Sequence, residues 1–148
     1  MSALRVFLFA LAGTLLAACH VGPQIDESNI GRLPQGVDVI VELTRIVEGP
    51  RGEYQGELLE VREDGLVVLT REDAQSASRI MLIPWNRVFR AEATNLSGVK
   101  LRESYSGKRR KKSIETLRNT SRFPQGLSAE LTGQLLAHYG QTALGTLD

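Results

Sequence analysis

The chain has one cysteine, two histidines and eight aromatic residues among 148. A single thiol excludes an internal disulfide framework and a cysteine-rich zinc site. His20 and His138, at opposite ends of the chain, offer no metal-ligand spacing. Charge of one sign is missing too: 18 basic residues face 17 acidic ones, a net of +1, so the total gives no reason to expect a nucleic-acid partner. No apolar run approaches the ~20 residues that span a bilayer as a helix. The length allows one domain with an appended helix and excludes a large multidomain enzyme. No serine sits in a nucleophile elbow, and no glycine loop is built to hold phosphate. The carboxylate pairs Glu63-Asp64 and Glu72-Asp73 fall in exposed loops, where no apolar pocket tunes a carboxyl for acid–base work. The inventory predicts a protein without catalysis, cofactor or metal.

What is present begins at the N-terminus. Arg5 puts a positive charge ahead of an uncharged stretch, Val6 to Ala18. Thirteen residues suit the core of a signal peptide and fall short of a membrane span. The stretch ends Leu16-Ala17-Ala18-Cys19, small residues followed directly by the only cysteine. This resembles the lipobox of bacterial lipoproteins. The resemblance implies that 1–18 is a lipoprotein signal peptide and that Cys19 becomes the first mature residue. It also implies that Cys19 carries a diacylglyceryl group and an N-acyl chain such as palmitate. Each buried CH₂ contributes about 0.8 kcal/mol, so several chains anchor firmly where one holds marginally. His20, where an aspartate would stand for retention, implies the outer membrane of a two-membrane host. His20 itself reads as inert.

Residues 19–36 hold Gly22-Pro23, Gly31, Pro34 and Gly36 with little periodicity, and read as a lipidated tether. Its extended reach is about 55 Å, and a short helical turn is conceivable at Glu27 to Ile30. From Val37 the period becomes two: Val37, Val39, Val41 and Leu43 alternate with more polar neighbours, the mark of a half-buried strand. Four more strands follow at Tyr54 to Glu63, Leu66 to Thr70, Arg79 to Ile83 and Arg87 to Ala93. Asp64-Gly65 signals a tight hairpin with positive φ at both positions. Five short strands with no helix between them favour one strongly bent sheet that closes on itself. The spacing, with a long second strand and Pro84-Trp85-Asn86 before the last, resembles SH3-like or Sm-like small barrels. The expected fold is therefore mainly β: a five-stranded barrel over 37–93 with a C-terminal α-helix. Trp85 and Tyr54 read as structural aromatics, Trp85 capping the open end of the barrel.

Residues 94–126 read as a basic connecting segment, with a candidate extra strand at Val99 to Arg102. Within it Lys108, Arg109, Arg110, Lys111 and Lys112 form five consecutive positive charges. Residues 127–144 read as a helix with Ser128 as N-cap and a face of Leu131, Leu135 and Tyr139 to be buried against the barrel mouth, with a partner or a membrane surface as alternatives; Gly140 reads as its terminator, with a frayed remainder to Leu144. His138 in this helix reads as a solvated or core-edge residue. The pentapeptides at 32–36 (RLPQG) and 122–126 (RFPQG) match in four places, each ahead of an ordered element.

Near-neutrality hides a dipole. Residues 26–98 hold 8 basic and 13 acidic residues, a net of −5, while 99–148 hold 9 and 4, a net of +5. A basic run on an anchored protein suggests contact with an anionic envelope surface or an acidic envelope protein, each cation worth about 1 kcal/mol within a Debye length. The alternatives are a solvated loop, or a run folded onto the acidic barrel. RNA binding is disfavoured, because export removes the chain from RNA and Arg62-Glu63-Asp64-Gly65-Leu66 lacks the aromatic-and-asparagine element of Sm proteins. The reading is a non-catalytic, lipid-anchored interaction or scaffolding module of the cell envelope. A peptidoglycan- or glycan-binding module stands as the alternative, with a cryptic hydrolase behind it.

Overall fold

The computed structural model describes residues 35–44, 52–71 and 77–147. The signal segment, Cys19, His20, the turn at Glu27 to Ile30, most of the tether and the Glu72-Asp73 pair lie outside them. The five expected strands are present: β1 (Asp38–Leu43), β2 (Glu53–Val61), β3 (Gly65–Thr70), β4 (Arg79–Pro84) and β5 (Val88–Ala93). The candidate extra strand forms as β6 (Lys100–Arg102). Two helices follow, α1 (Gly107–Thr120) and α2 (Ala129–His138), and then a two-residue strand, β7 (Gly145–Thr146). In β1 the alternation does what its period implies: Val39, Val41 and Leu43 are buried, and the residues between them are half-buried.

The sheet is mixed and seven-stranded, in the order β6-β5-β1-β2-β3-β4-β7. β4 and β5 are four strand spacings apart in that order, about 19 Å if the sheet were flat. Yet only the 3₁₀ turn Trp85–Arg87 joins them, and it advances about 2 Å per residue. The sheet must therefore curl. It does not close as the sequence predicts. The edge of β5 that would meet β4 is paired with β6, and that of β4 with β7 through Met81 and Leu82.

Curling encloses one core. Val39, Val41, Leu58, Val61, Leu66, Val68, Ile83 and Leu101 belong to it, and Tyr54 and Trp85 lie partly buried against it. The helix that packs on this core is α1, through fully buried Leu117 and half-buried Ile114, and not the C-terminal helix that the sequence placed there. Burying a leucine such as Leu117 contributes about 1.5–3 kcal/mol. β3 is buried on both faces.

β2 carries a bulge: its pairing with β3 shifts register between Leu58 and Glu60. Leu58 and Val61, three apart, thus both belong to the core, and Glu57 and Glu60 fall on the opposite face. The β2–β3 hairpin departs from expectation. Among the described residues no non-glycine has positive φ, and Gly65 is not among the glycines that do. Instead the Arg62 N–H donates to the Gly65 carbonyl at 2.9 Å across a wider turn. Gly65 is there for space, since a Cβ would lie 2.2 Å from the Ile83 carbonyl oxygen of neighbouring β4.

Three further boundaries change. The segment 94–126 is not a plain connection, because α1 occupies its middle. α2 spans ten residues and not 127–144; Ser128 Oγ accepts from the Leu131 N–H at 3.1 Å, as predicted for the cap. Gly140, with φ of +68°, closes α2 in a Schellman pattern with Gln141 N–H to Leu136 O at 2.8 Å. Gly36, assigned to the tether, is part of the fold.

Candidate functional site

The basic run forms the first turns of α1. At about 100° per residue a run of five cannot make one flat patch, because the helix deals the side chains around its whole circumference. Lys108, Arg109, Lys111 and Lys112 are exposed, and Arg110 is half-buried. Two of the five are held by aromatic rings: Arg109 Cζ lies 3.9 Å from the Tyr105 ring centre, and Arg110 Cζ lies 5.8 Å from that of Trp85. Trp85 is fixed in turn, its Nε1–H donating to the Arg62 carbonyl at 3.2 Å. Trp85 thus sits half-buried against the core and also touches the basic helix, a role that the sequence reading left out.

Gly107, Arg110, Lys111, Ile114, Glu115 and Arg118 line a shallow groove of about 650 Å³ along one stripe of α1. Its lining holds three cations, one carboxylate and one apolar side chain. A second groove, of about 620 Å³ and lined by Glu42, Phe89, Arg90, Arg102, Glu103 and Ser104, balances two cations with two carboxylates.

The start of α1 is electrostatically uphill. It has no acidic residue in the first turn, and the Ser106 side chain makes no capping hydrogen bond. Each cation near a helix N-terminus opposes the macrodipole by about 0.3–1 kcal/mol when exposed. The burial of Leu117 and Ile114 near the other end offsets this. Among the described residues none of Lys108, Lys111, Lys112, Glu115 and Arg118 has an ion-pair partner. Four acidic side chains of the sheet pair with other arginines, as Glu42–Arg90, Glu92–Arg90, Glu60–Arg62 and Glu57–Arg122. Among the described residues the run therefore makes no ion pair with the sheet's carboxylates, although α1 packs on the core beneath it.

A second polar cluster escaped the sequence reading. Glu57 Oε2 accepts from Arg122 Nη2 at 2.7 Å, and its Oε1 accepts from the Gly36 N–H at 2.7 Å. Glu60 Oε2 accepts from Arg62 Nε at 2.7 Å, and its Oε1 accepts from the Leu127 N–H at 3.2 Å. Nε and Nη1 of Arg122 are buried without a hydrogen-bond partner. The signal lay in the two matching pentapeptides: Gly36 ends the first, Arg122 begins the second, and both meet on Glu57. Each carboxylate oxygen of this pair is taken by a structural donor, so the cluster holds the fold together.

The remaining candidates stay apart. Glu63 and Asp64 are exposed at the hairpin, and exposed His138 lies edge-on to Tyr139 with ring centres 4.9 Å apart. Among the described residues no three His, Cys, Asp or Glu side chains are grouped to hold a metal, and no helix is long and apolar enough to cross a membrane. No protein-family model matches the chain, and no curated protein or solved structure matches it.

Proposed function

We propose that this chain is a lipid-anchored lipoprotein of the bacterial cell envelope that works by binding, as an interaction or scaffolding module without catalysis. Acylated Cys19 is its anchor, the residues up to 35 its tether, and the outer membrane facing the periplasm its place in a two-membrane host. The observation that carries the binding role is the exposure of Lys108, Lys111 and Lys112 with no ion-pair partner among the described residues. Three exposed cations without ion-pair partners set up a local positive field that attracts an external anion, which supports this reading.

The body reads as an opened relative of the SH3-like or Sm-like barrel. The order β5-β1-β2-β3-β4, the long bulged β2 and the 3₁₀ turn before β5 support this reading. In that reading β6 and β7 occupy the edges that a closed barrel pairs with each other.

The test has two arms. Replacing Cys19 by Ala releases the protein from the membrane fraction; retention there overturns the anchor. Crosslinking in intact cells captures an envelope component through α1. A Lys108→Gln, Lys111→Gln, Lys112→Gln variant that captures the same component as efficiently overturns the binding role.

A further inference from the structure

The pairing of β7 with β4 is the shortest in the sheet, and the residues that make it show what else fits there. β1 is paired along nearly its whole length on both sides. β7 meets β4 at Met81 and Leu82 alone, and in parallel, the less stable arrangement per residue. Ahead of β7, Thr142 and Ala143 stand exposed, and Gly140 turns the chain out of α2 at a φ of +68°. Ordering this segment costs backbone entropy, offset by the β7 pairs, the Gln141 amide and partly buried Leu147. Its release leaves β1 to β5 paired as they are.

Release would bare a strand edge of a particular kind. Between Arg79 and Pro84, β4 carries Ile80, Met81, Leu82 and Ile83 and no charge. The other outer strand, β6, holds Lys100 and Arg102 on either side of Leu101. Charge on an edge strand discourages further pairing, so β6 guards itself while β4 relies on its cover. Ile80 aims both its N–H and its carbonyl outward, since Gln141 bonds the two at 2.6 and 3.2 Å. Strand alternation aims the same groups of Leu82 the same way. Outward amides and carbonyls at strand spacing are matched by one class of ligand, the backbone of an extended peptide. The Gln141 side chain, itself an amide, stands in for one peptide group of such a strand.

The cover also carries a side-chain pattern. A Cβ at Gly145 would run into Met81 Sδ, so the residue opposite Met81 has to be small. Two positions on, Leu147 lies partly buried against the core. We propose that the β4 edge is a docking site for an extended protein segment of the pattern Gly-x-Leu, and that residues 141–147 are an internal pseudo-ligand, displaced when such a segment binds. The site needs neither the acyl anchor nor the cations of α1. Its affinity is set by the fraction of molecules in which the cover is open.

The test uses the full chain and a fluorescein-labelled peptide of residues 141–147, with binding read by anisotropy. The double variant Gln141→Ala, Leu147→Ser weakens the internal competitor, and binds the peptide about tenfold more tightly than the parent protein does. A peptide carrying Gly145→Val binds about tenfold more weakly. Slow amide exchange at Val39 and Val41 shows that the variant keeps its body. On the parent protein, saturating peptide quickens exchange at Leu144 and Leu147 while Ile80 and Leu82 stay protected, the signature of replacement. Equal affinity for parent and variant, or binding to neither, overturns the proposal. So does saturation that leaves exchange at Leu144 and Leu147 unchanged, or that exposes Ile80 and Leu82 along with them.

Discussion

Arg122 and Glu57 form the most deeply buried ion pair among the described residues: Nη2 meets Oε2 at 2.7 Å, and both side chains are 4% exposed. Removing one partner strands a buried charge. Arg122→Met is expected to lower unfolding stability by about 3–5 kcal/mol, read from the urea midpoint. The double variant Arg122→Met, Glu57→Leu loses less than the sum of the single changes, since no charge is left unpaired. The Glu42–Arg90 pair, with side chains 21% and 35% exposed, is the contrast: breaking it costs under about 1 kcal/mol.

Glycine substitutions separate spatial from conformational roles. A Cβ at Gly36 would lie 2.3 Å from Leu58 O and 2.6 Å from Arg122 N, so backbone must move. Gly36→Ala is expected to cost about 1–3 kcal/mol in thermal or urea unfolding. Gly133, inside α2 with nothing within 4 Å of a built Cβ, behaves oppositely. Gly133→Ala stabilises by about 0.5–1 kcal/mol, because alanine forms helix better.

The basic start of α1 runs against the interest of the fold. Lys108→Glu puts an acid in a first turn that has none, and is expected to raise stability by about 0.5–1 kcal/mol at low salt. The gain shrinks as sodium chloride rises, because exposed charges are screened. A loss of stability at low salt would show that Lys108 supports the helix.

Gln141 acts as a borrowed strand residue. Its Oε1 accepts from the Ile80 N–H at 2.6 Å and its Nε2 donates to Ile80 O at 3.2 Å, beside the two-residue β7. Gln141→Ala leaves the Ile80 amide without that acceptor. Hydrogen exchange at Ile80 and at Leu82, where β7 pairs, should quicken, while exchange in β1 stays slow.

The five main strands were legible because each carries its own pattern, as the alternating Val39, Val41 and Leu43 show. The α2 cap was legible because Ser128 acts on a residue three positions away. α1 was hidden because five cations mask its helical period, leaving Ile114 and Leu117 as the apolar signal. The hairpin was found for the wrong reason, since Gly65 answers to β4 and not to its own φ. β7 and the Glu57 cluster are long-range products: Gly145 finds Met81, and Gly36 and Arg122 find Glu57, across distances no local pattern spans. The candidate groove was half legible. Its cations stood in the sequence as a run, but the partition that sets Arg110 on Trp85 and leaves Lys108 outward needed the helix.

The capped sheet edges carry a consequence for life at high density. An open sheet offers rows of bare amides on which a second copy can grow. Here one edge is a three-residue strand flanked by Lys100 and Arg102, and the other is shortened by Gly145, Thr146 and the Gln141 amide. Copies crowded together would meet without a long template to exchange, so the molecule can be concentrated and still remain individual units.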